Sequence, residues 1–253
     1  EGYIRVQIFD GCEAIYLYNE ARTEGRVYMF VITGDELEGT YMAGNTMDYA
    51  TIHGASIMQS GYSFVSCSRQ AFEEGTVKPY DFDVVDVYMG LQRERGDAPI
   101  RRTTYYNMTP AMYNILTAYT QRGGALLMSG SYLGEESQEL STTQSILHDV
   151  MHAHYGGNIT DWSEQGISGL GTIMEIPRWI NPEHYPVVHP EVFTPADGAF
   201  TPFAYEHSRR GAAVAYAGTY RSVLLGFPFE AIRSSQDRHL VMVSLLDFLT
   251  KRQ

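Results

Sequence analysis

Short apolar runs that alternate with helix-like segments constrain this chain more than any other feature of it. Residues 26–33 form one such run, closed by Gly34-Asp35. Residues 82–89 form another, with Val84, Val85 and Val87, and 125–128 and 222–226 continue the series. A strand that is apolar on consecutive residues must be covered on both faces, which is the condition of a strand inside a parallel sheet. The segments between them carry the covering helices. A helix is expected over 47–59, a weaker strand over 61–66 and a short helix over 69–74. Thr109-Pro110 opens a helix with a hydroxyl cap and a proline in the first turn, and Gly123-Gly124 closes it. Residues 141–154 are expected to be helical, with Ile146, Leu147, Val150 and Met151 on the apolar face, and 239–249 form an apolar closing helix. Strands and helices in this alternation imply right-handed crossovers and an α/β fold built on a doubly wound, mainly parallel sheet flanked by helices.

Two regions depart from that rhythm. Ile4-Arg5-Val6-Gln7-Ile8 and Ala14-Ile15-Tyr16-Leu17-Tyr18 read as short strands, either an added edge or the tail of a preceding module. The division expected is therefore 1–25 for these strands and 26–253 for a single α/β domain. From 157 to 214, pieces such as 171–176 and 212–217 lie between Pro- and Gly-rich turns and suggest an antiparallel extension in the C-terminal half.

Composition narrows the partners. Lys+Arg 18 against Asp+Glu 30 gives a formal charge of -12, which argues against nucleic acid and against anionic membrane surfaces. No apolar run approaches the roughly 20 residues that span a bilayer. The chain opens at Glu1 with no signal peptide and reads as a trimmed piece of a longer product. Cys12 and Cys67 sit in no CxxC pair, and their spacing neither supports nor forbids a bridge. The 19 Tyr suit secreted or sugar-facing surfaces, and equally suit half-buried strands and helices.

Two segments carry a family resemblance. The first runs Tyr80-Asp81-Phe82-Asp83-Val84-Val85-Asp86-Val87-Tyr88-Met89-Gly90, then a helix, then Ala125-Leu126-Leu127-Met128-Ser129-Gly130-Ser131. The second is Ser222-Val223-Leu224-Leu225-Gly226-Phe227-Pro228-Phe229-Glu230. Together they resemble the central strands and late strand of class I glutamine amidotransferases, a flavodoxin-like fold. The resemblance implies an elbow after 125–128 that would present a nucleophilic Cys, and a Gln-Phe-His-Pro-Glu pattern at the late strand. Here Phe227 and Glu230 keep the Phe and the Glu, while Pro228 stands where the His would be. The positions considered for the nucleophile are Ser129, Gly130 and Ser131, none of them Cys. Glutaminase activity needs a thiolate beside a base and is not expected. Segments 81–90, 110–124, 129–134 and 211–230, with Gln92, are also similar to a domain of secreted Bacteroidetes proteins labelled xanthan lyase or N-acetylmuramoyl-L-alanine amidase. That similarity implies an exported, cell-envelope location, a polysaccharide or peptidoglycan partner, and further domains in the parent chain.

Several residues are candidates for a site at the carboxyl edge of the sheet, where open α/β folds place ligands. Ser131 is the sharpest catalytic candidate, with His207 as its base and Glu230 as the retained acid. The run Gly130-Ser131-Tyr132-Leu133-Gly134 is nevertheless not the hydrolase G-x-S-x-G elbow, because Ser131 follows the first Gly directly. Ser129, Glu135, Glu136, Asp35 and Arg93 are candidate ligand contacts, and Arg95, Arg101 and Arg102 share the loop of Arg93. Small residues for a tight turn and acids at a helix start account for most of this set equally well. His148, Asp149, His152 and His154 look metal-like, with His148 and His152 one helical turn apart, but H-E-x-x-H is absent and no metal or cofactor is expected. Trp162 and Trp179 could stack on a sugar or simply pack. The expected function is a non-catalytic accessory domain of a carbohydrate- or cell-wall-active protein. The competing reading is a hydrolase or lyase using Ser131, Glu135 and Glu230.

Overall fold

The computed structural model describes residues 49–90, 106–161 and 190–251, the backbone of strands 4–8, 14–18 and 27–32, and residues 164, 166–169, 178–179 and 187. In chain order the elements are β1 (Ile4–Ile8), β2 (Ala14–Tyr18), β3 (Val27–Ile32), α1 (Tyr49–Gln59), β4 (Ser63–Ser68), α2 (Arg69–Glu73) and β5 (Val84–Tyr88). There follow α3 (Pro110–Gln121), β6 (Ala125–Ser129), α4 (Leu133–Glu136), α5 (Ser141–Ser145), β7 (Ala153–Asn158), β8 (Gly166–Gly169) and β9 (Arg178–Trp179). The chain ends with β10 (Glu191–Pro195), β11 (Phe203–Tyr205), β12 (Ala213–Ala217), β13 (Arg221–Leu225) and α6 (Ser235–Thr250).

Eight strands make the main sheet, in the order β1-β2-β4-β3-β5-β6-β13-β12. Strands β3, β4, β5, β6 and β13 run parallel. The β1–β2 hairpin is antiparallel and joins one edge through β4, while β12 closes the other edge antiparallel to β13. Strands β7 and β10 pair separately, and β8, β9 and β11 make a third small sheet, so the expected antiparallel extension is present. The expected strand over 171–176 lies outside the described residues.

Strand periodicity divides the core. Val84, Tyr88, Ala125, Leu127, Val223 and Leu225 face α6 and the Ile57 side of α1. Val85, Val87, Leu126, Met128 and Leu224 point the other way, onto α2, α3 and the segment after α5. This is the two-sided burial that the apolar runs require. Thr109 caps α3 as expected, its Oγ1 accepting the Met112 N–H at 3.1 Å.

The helix expected over 141–154 ends early. After α5 the backbone widens into a π turn over Ile146–Val150, and Met151 N–H donates to Ile146 O at 3.0 Å. The Val150 carbonyl accepts from Tyr220 Oη at 2.8 Å and Ser222 Oγ at 3.2 Å, so side chains from the β12–β13 hairpin and β13 take the place of a further helical turn. His152 then leaves at φ 51, and His154 belongs to β7. His148 and His152 therefore share no helical face.

Helix α1 lies close against the sheet because Gly54 has no side chain. A Cβ there would stand 2.5 Å from Cζ of Phe64 on β4. Gly→Ala in a helix interior ordinarily stabilises by roughly 0.5–1 kcal/mol. Gly54→Ala is expected to destabilise instead, by about 1–3 kcal/mol from overpacking. Urea denaturation checks this, and a raised midpoint would contradict it.

Candidate functional site

The carboxyl ends of β5, β6 and β13 meet at the elbow after β6. Met89 N–H donates to Ser129 O at 2.8 Å, and Ser131 N–H donates to Gly90 O at 2.9 Å, which holds the two strand ends together. Gly130 has no space for a side chain, since a Cβ would lie 2.8 Å from Cβ of Met89. Tyr132 follows in the left-handed region, φ 67 and ψ 4, immediately before α4. A nucleophile elbow is a strained strand-to-helix turn of this kind. The left-handed residue of this turn is Tyr132, flanked by Gly130 and Gly134, and it follows Ser129, Gly130 and Ser131, the positions considered for a nucleophile. Tyr132 is only 8% exposed.

Backbone amides in the first turn of α4 are already occupied. Glu191, at the start of β10 and fully buried, accepts the Gly134 N–H at 2.9 Å and the Glu135 N–H at 2.8 Å. Glu191 is itself anchored. Its N–H donates to Gly226 O at 2.7 Å, and Tyr205 Oη lies 2.8 Å from its carbonyl oxygen. Any side chain at Gly226 would strike that carbonyl, so the glycine ending the late strand is what lets β10 cross there. Burial pushes the Glu191 carboxyl up to about 8, against the Gly134, Glu135 and Leu133 amides that favour its charged form.

Beneath the elbow, on the α1 face of the sheet, lies a buried charge cluster. Asp86 is in phase with Val84 and Tyr88 in β5, and so points at α1. His53 of α1, fully buried, has Nδ1 2.7 Å from Asp86 Oδ2 and Nε2 3.1 Å from Glu230 Oε2. Its ring stacks on Tyr88 at 4.6 Å and meets Phe229 edge-on at 4.9 Å. Burial alone would lower its pKa, but the Asp86 charge and the bonds to Asp86 and Glu230 outweigh that and raise it to about 9. His53 is thus an imidazolium at neutral pH, with both N–H groups donated to carboxylates. It has no lone pair to offer as a base.

The remaining candidates fall as follows. Ser129 and Ser131 are fully buried, and neither hydroxyl has a hydrogen-bond partner among the described residues. His207 is exposed, its backbone N–H held by Glu164 at 2.7 Å, and it makes no bond to Ser131. Glu136 is buried and turned inward, accepting the Asn107 and Met108 N–H groups at 2.7 and 3.0 Å and the Thr143 hydroxyl at 2.6 Å. Glu135 is half-buried beside it. Cys67 is a buried thiol that burial pushes up to about 12. Asp35, Arg93, Arg95, Arg101, Arg102, Trp162 and Cys12 lie outside the described residues, and Trp179 is described only as backbone. Among the described residues no group of three His, Cys, Asp or Glu side chains is placed to hold a metal. His148 and His154 touch at 3.1 Å on the surface, while His152 turns to Tyr220 Oη at 2.9 Å.

His53, Asp86 and Glu191 stand in no motif of the sequence that marks them as site residues. Asp86 carried a signal, since a carboxylate inside an otherwise apolar central strand demands a buried partner.

Known structures place this architecture. It is an α/β fold with a mixed, mostly parallel sheet flanked by helices and with antiparallel strand pairs added. The fold is similar to that of a ThuA-like protein from Bacteroides uniformis (TM-score 0.54, 12% identity, 93% of this chain and 95% of that one). It is also similar to the mmIFT52 N-terminal domain (TM-score 0.52, 14% identity, 90% and 98%). A third similar structure is the exo-beta-1,4-mannosidase Op5Man5 from Opitutaceae bacterium strain TAV5 (TM-score 0.55, 8% identity), of which the chain spans 36% against 90% of its own length. At these identities the likeness is one of fold. No family model and no curated protein matches the sequence.

The buried cluster fixes a pH dependence. His53 has a folded pKa of about 9, above its ordinary 6.5, so its contribution is complete below about 6.5 and lost as pH rises through 9. Glu191 is raised from 4.5 to about 8, and folding likewise holds its proton more tightly than the unfolded chain does. Glu191 makes stability fall from about pH 4.5 to 8 and His53 from about 6.5 to 9, so the two act together between 6.5 and 8. His53→Ala, which leaves two buried carboxylates uncompensated, is expected to cost about 3–5 kcal/mol. Denaturant midpoints across that pH range check both statements, and midpoints that rise with pH in the wild-type protein would contradict the first.

Proposed function

We propose that this chain is a non-catalytic, amidotransferase-like accessory domain of an exported carbohydrate- or cell-wall-active protein. One observation carries the non-catalytic part: Glu191 fills the amide pair at the elbow, where an oxyanion would have to sit. Tyr132 in place of a thiol, and Pro228 where the amidotransferase pattern has His, support the same reading. His53 is no substitute for that His, because both of its nitrogens are engaged with carboxylates. The carbohydrate context is supported by the similarity to secreted Bacteroidetes proteins and by a fold neighbour that forms part of a mannosidase chain. On this reading the partners are polysaccharide or peptidoglycan fragments and the other domains of the parent.

A hydrolase or lyase reading keeps one observation in its favour, the buried and unpartnered hydroxyls of Ser129 and Ser131. A single panel separates the two. Purified protein incubated with glutamine, muropeptides and acidic polysaccharides is expected to give no turnover above buffer, with Ser131→Ala indistinguishable from wild type. The same substrates arrayed for binding are expected to retain the protein. Turnover that Ser131→Ala abolishes would establish the enzyme reading, and an array with no retained glycan or muropeptide would contradict the binding one.

A further inference from the structure

Away from the elbow, α1 and the first turn of α6 enclose a cleft of about 320 Å³, lined by Thr51, Ile52, Ala55, Ser56, Gln59, Ser235 and Arg238. That volume is at the lower end of the range for small-molecule sites, roughly 300–1,000 Å³. Its floor is apolar where Ile52 and Ala55 lie, and its exposed rim carries Thr51, Gln59 and Ser235. Ser56, buried at the side, spends its hydroxyl on Ile52 O at 3.0 Å.

Arg238 is the feature that needs explaining. Its Nη1 donates to Ile232 O at 2.5 Å and to Arg233 O at 3.2 Å, which fixes the plane of the guanidinium. The Nε and Nη2 groups, the edge that forms a two-pronged bond with a carboxylate, have no hydrogen-bond partner among the described residues. A half-buried guanidinium held from behind with its fork edge unused is prepared for a planar anion, and the rotamer entropy of capturing one is already largely spent. The acidic groups acting on Arg238 are Glu230, which is committed to His53, and Asp237.

We propose that this cleft binds a small sugar acid, with its carboxylate on the Nε–Nη2 edge of Arg238, its C–H face on Ile52 and Ala55, and its hydroxyls toward Thr51, Gln59 and Ser235. The carboxylate part rests on Arg238 alone. The sugar part deepens the carbohydrate reading above but is independent of whether the elbow is inert.

The test is calorimetry or amide-shift mapping with sodium glucuronate, glucose and sodium benzoate as probes. Glucuronate is expected to shift α1 and α6 amides and to bind more tightly than benzoate, and glucose is expected not to bind. Arg238→Gln removes a charged hydrogen-bonding pair and should weaken glucuronate about 10–100-fold. Ala55→Trp fills the floor without touching Arg238 and should abolish binding, with melting temperatures confirming that both variants fold. No glucuronate binding, or binding kept in both variants, would overturn the site. Equal binding of glucose would overturn the role of Arg238, and equal binding of benzoate would overturn the sugar ring. None of these outcomes bears on elbow turnover, so the two readings fail separately.

Discussion

Everything at the centre of this fold is arranged around one buried imidazolium. His53 on α1 bridges Asp86 in the middle of β5 and Glu230 in the turn after β13, joining three elements that are far apart in sequence. Burying charged carboxylates is costly, and a protonated imidazole within reach of both offsets that cost. Gly54, the next residue, brings the helix close enough to supply it. The same ion pairs hold the turn over Phe229–Ala231 against α1, and so place the start of α6 and the cleft beside Arg238.

The turn above that cluster is closed by the chain's own side chains. The strained residue, the flanking glycines and the amide pair are all present. The apex carries a phenol, and the chain's own Glu191 carboxyl group holds the amides. Glu191 arrives on β10, outside the main sheet, and Gly226 is the residue that allows it through. The antiparallel extension is thus the part of the chain that brings Glu191 onto the amides of α4.

Much of the fold was legible because its strands are buried on both faces, and a run such as Val84-Val85 fits poorly anywhere but in a strand of that kind. The helix over 141–154 was cut short because side chains from Tyr220 and Ser222 capture the Val150 carbonyl, a contact between residues some seventy positions apart that no local pattern announces. The site was legible in part for the same reason. Glu230 was found through its place in a motif, but its partner His53 lies 177 residues earlier, and Glu191 lies 57 residues after the amide it caps. Tyr132 was visible only as the middle of a Gly-to-Gly spacing, and its importance is set by a backbone angle. Glu136 looked like a ligand contact from its position, and its geometry instead ties down the entry to α3.

The polar heart of this domain is, on this account, a charged structural lock that offers no base for catalysis. The direct measurement is an NMR titration of the His53 ring through its carbon and nitrogen shifts. The ring is expected to be an imidazolium at pH 7, with a midpoint of about 9. A neutral ring at pH 7, titrating at or below its ordinary 6.5, would contradict it and restore His53 as a candidate base.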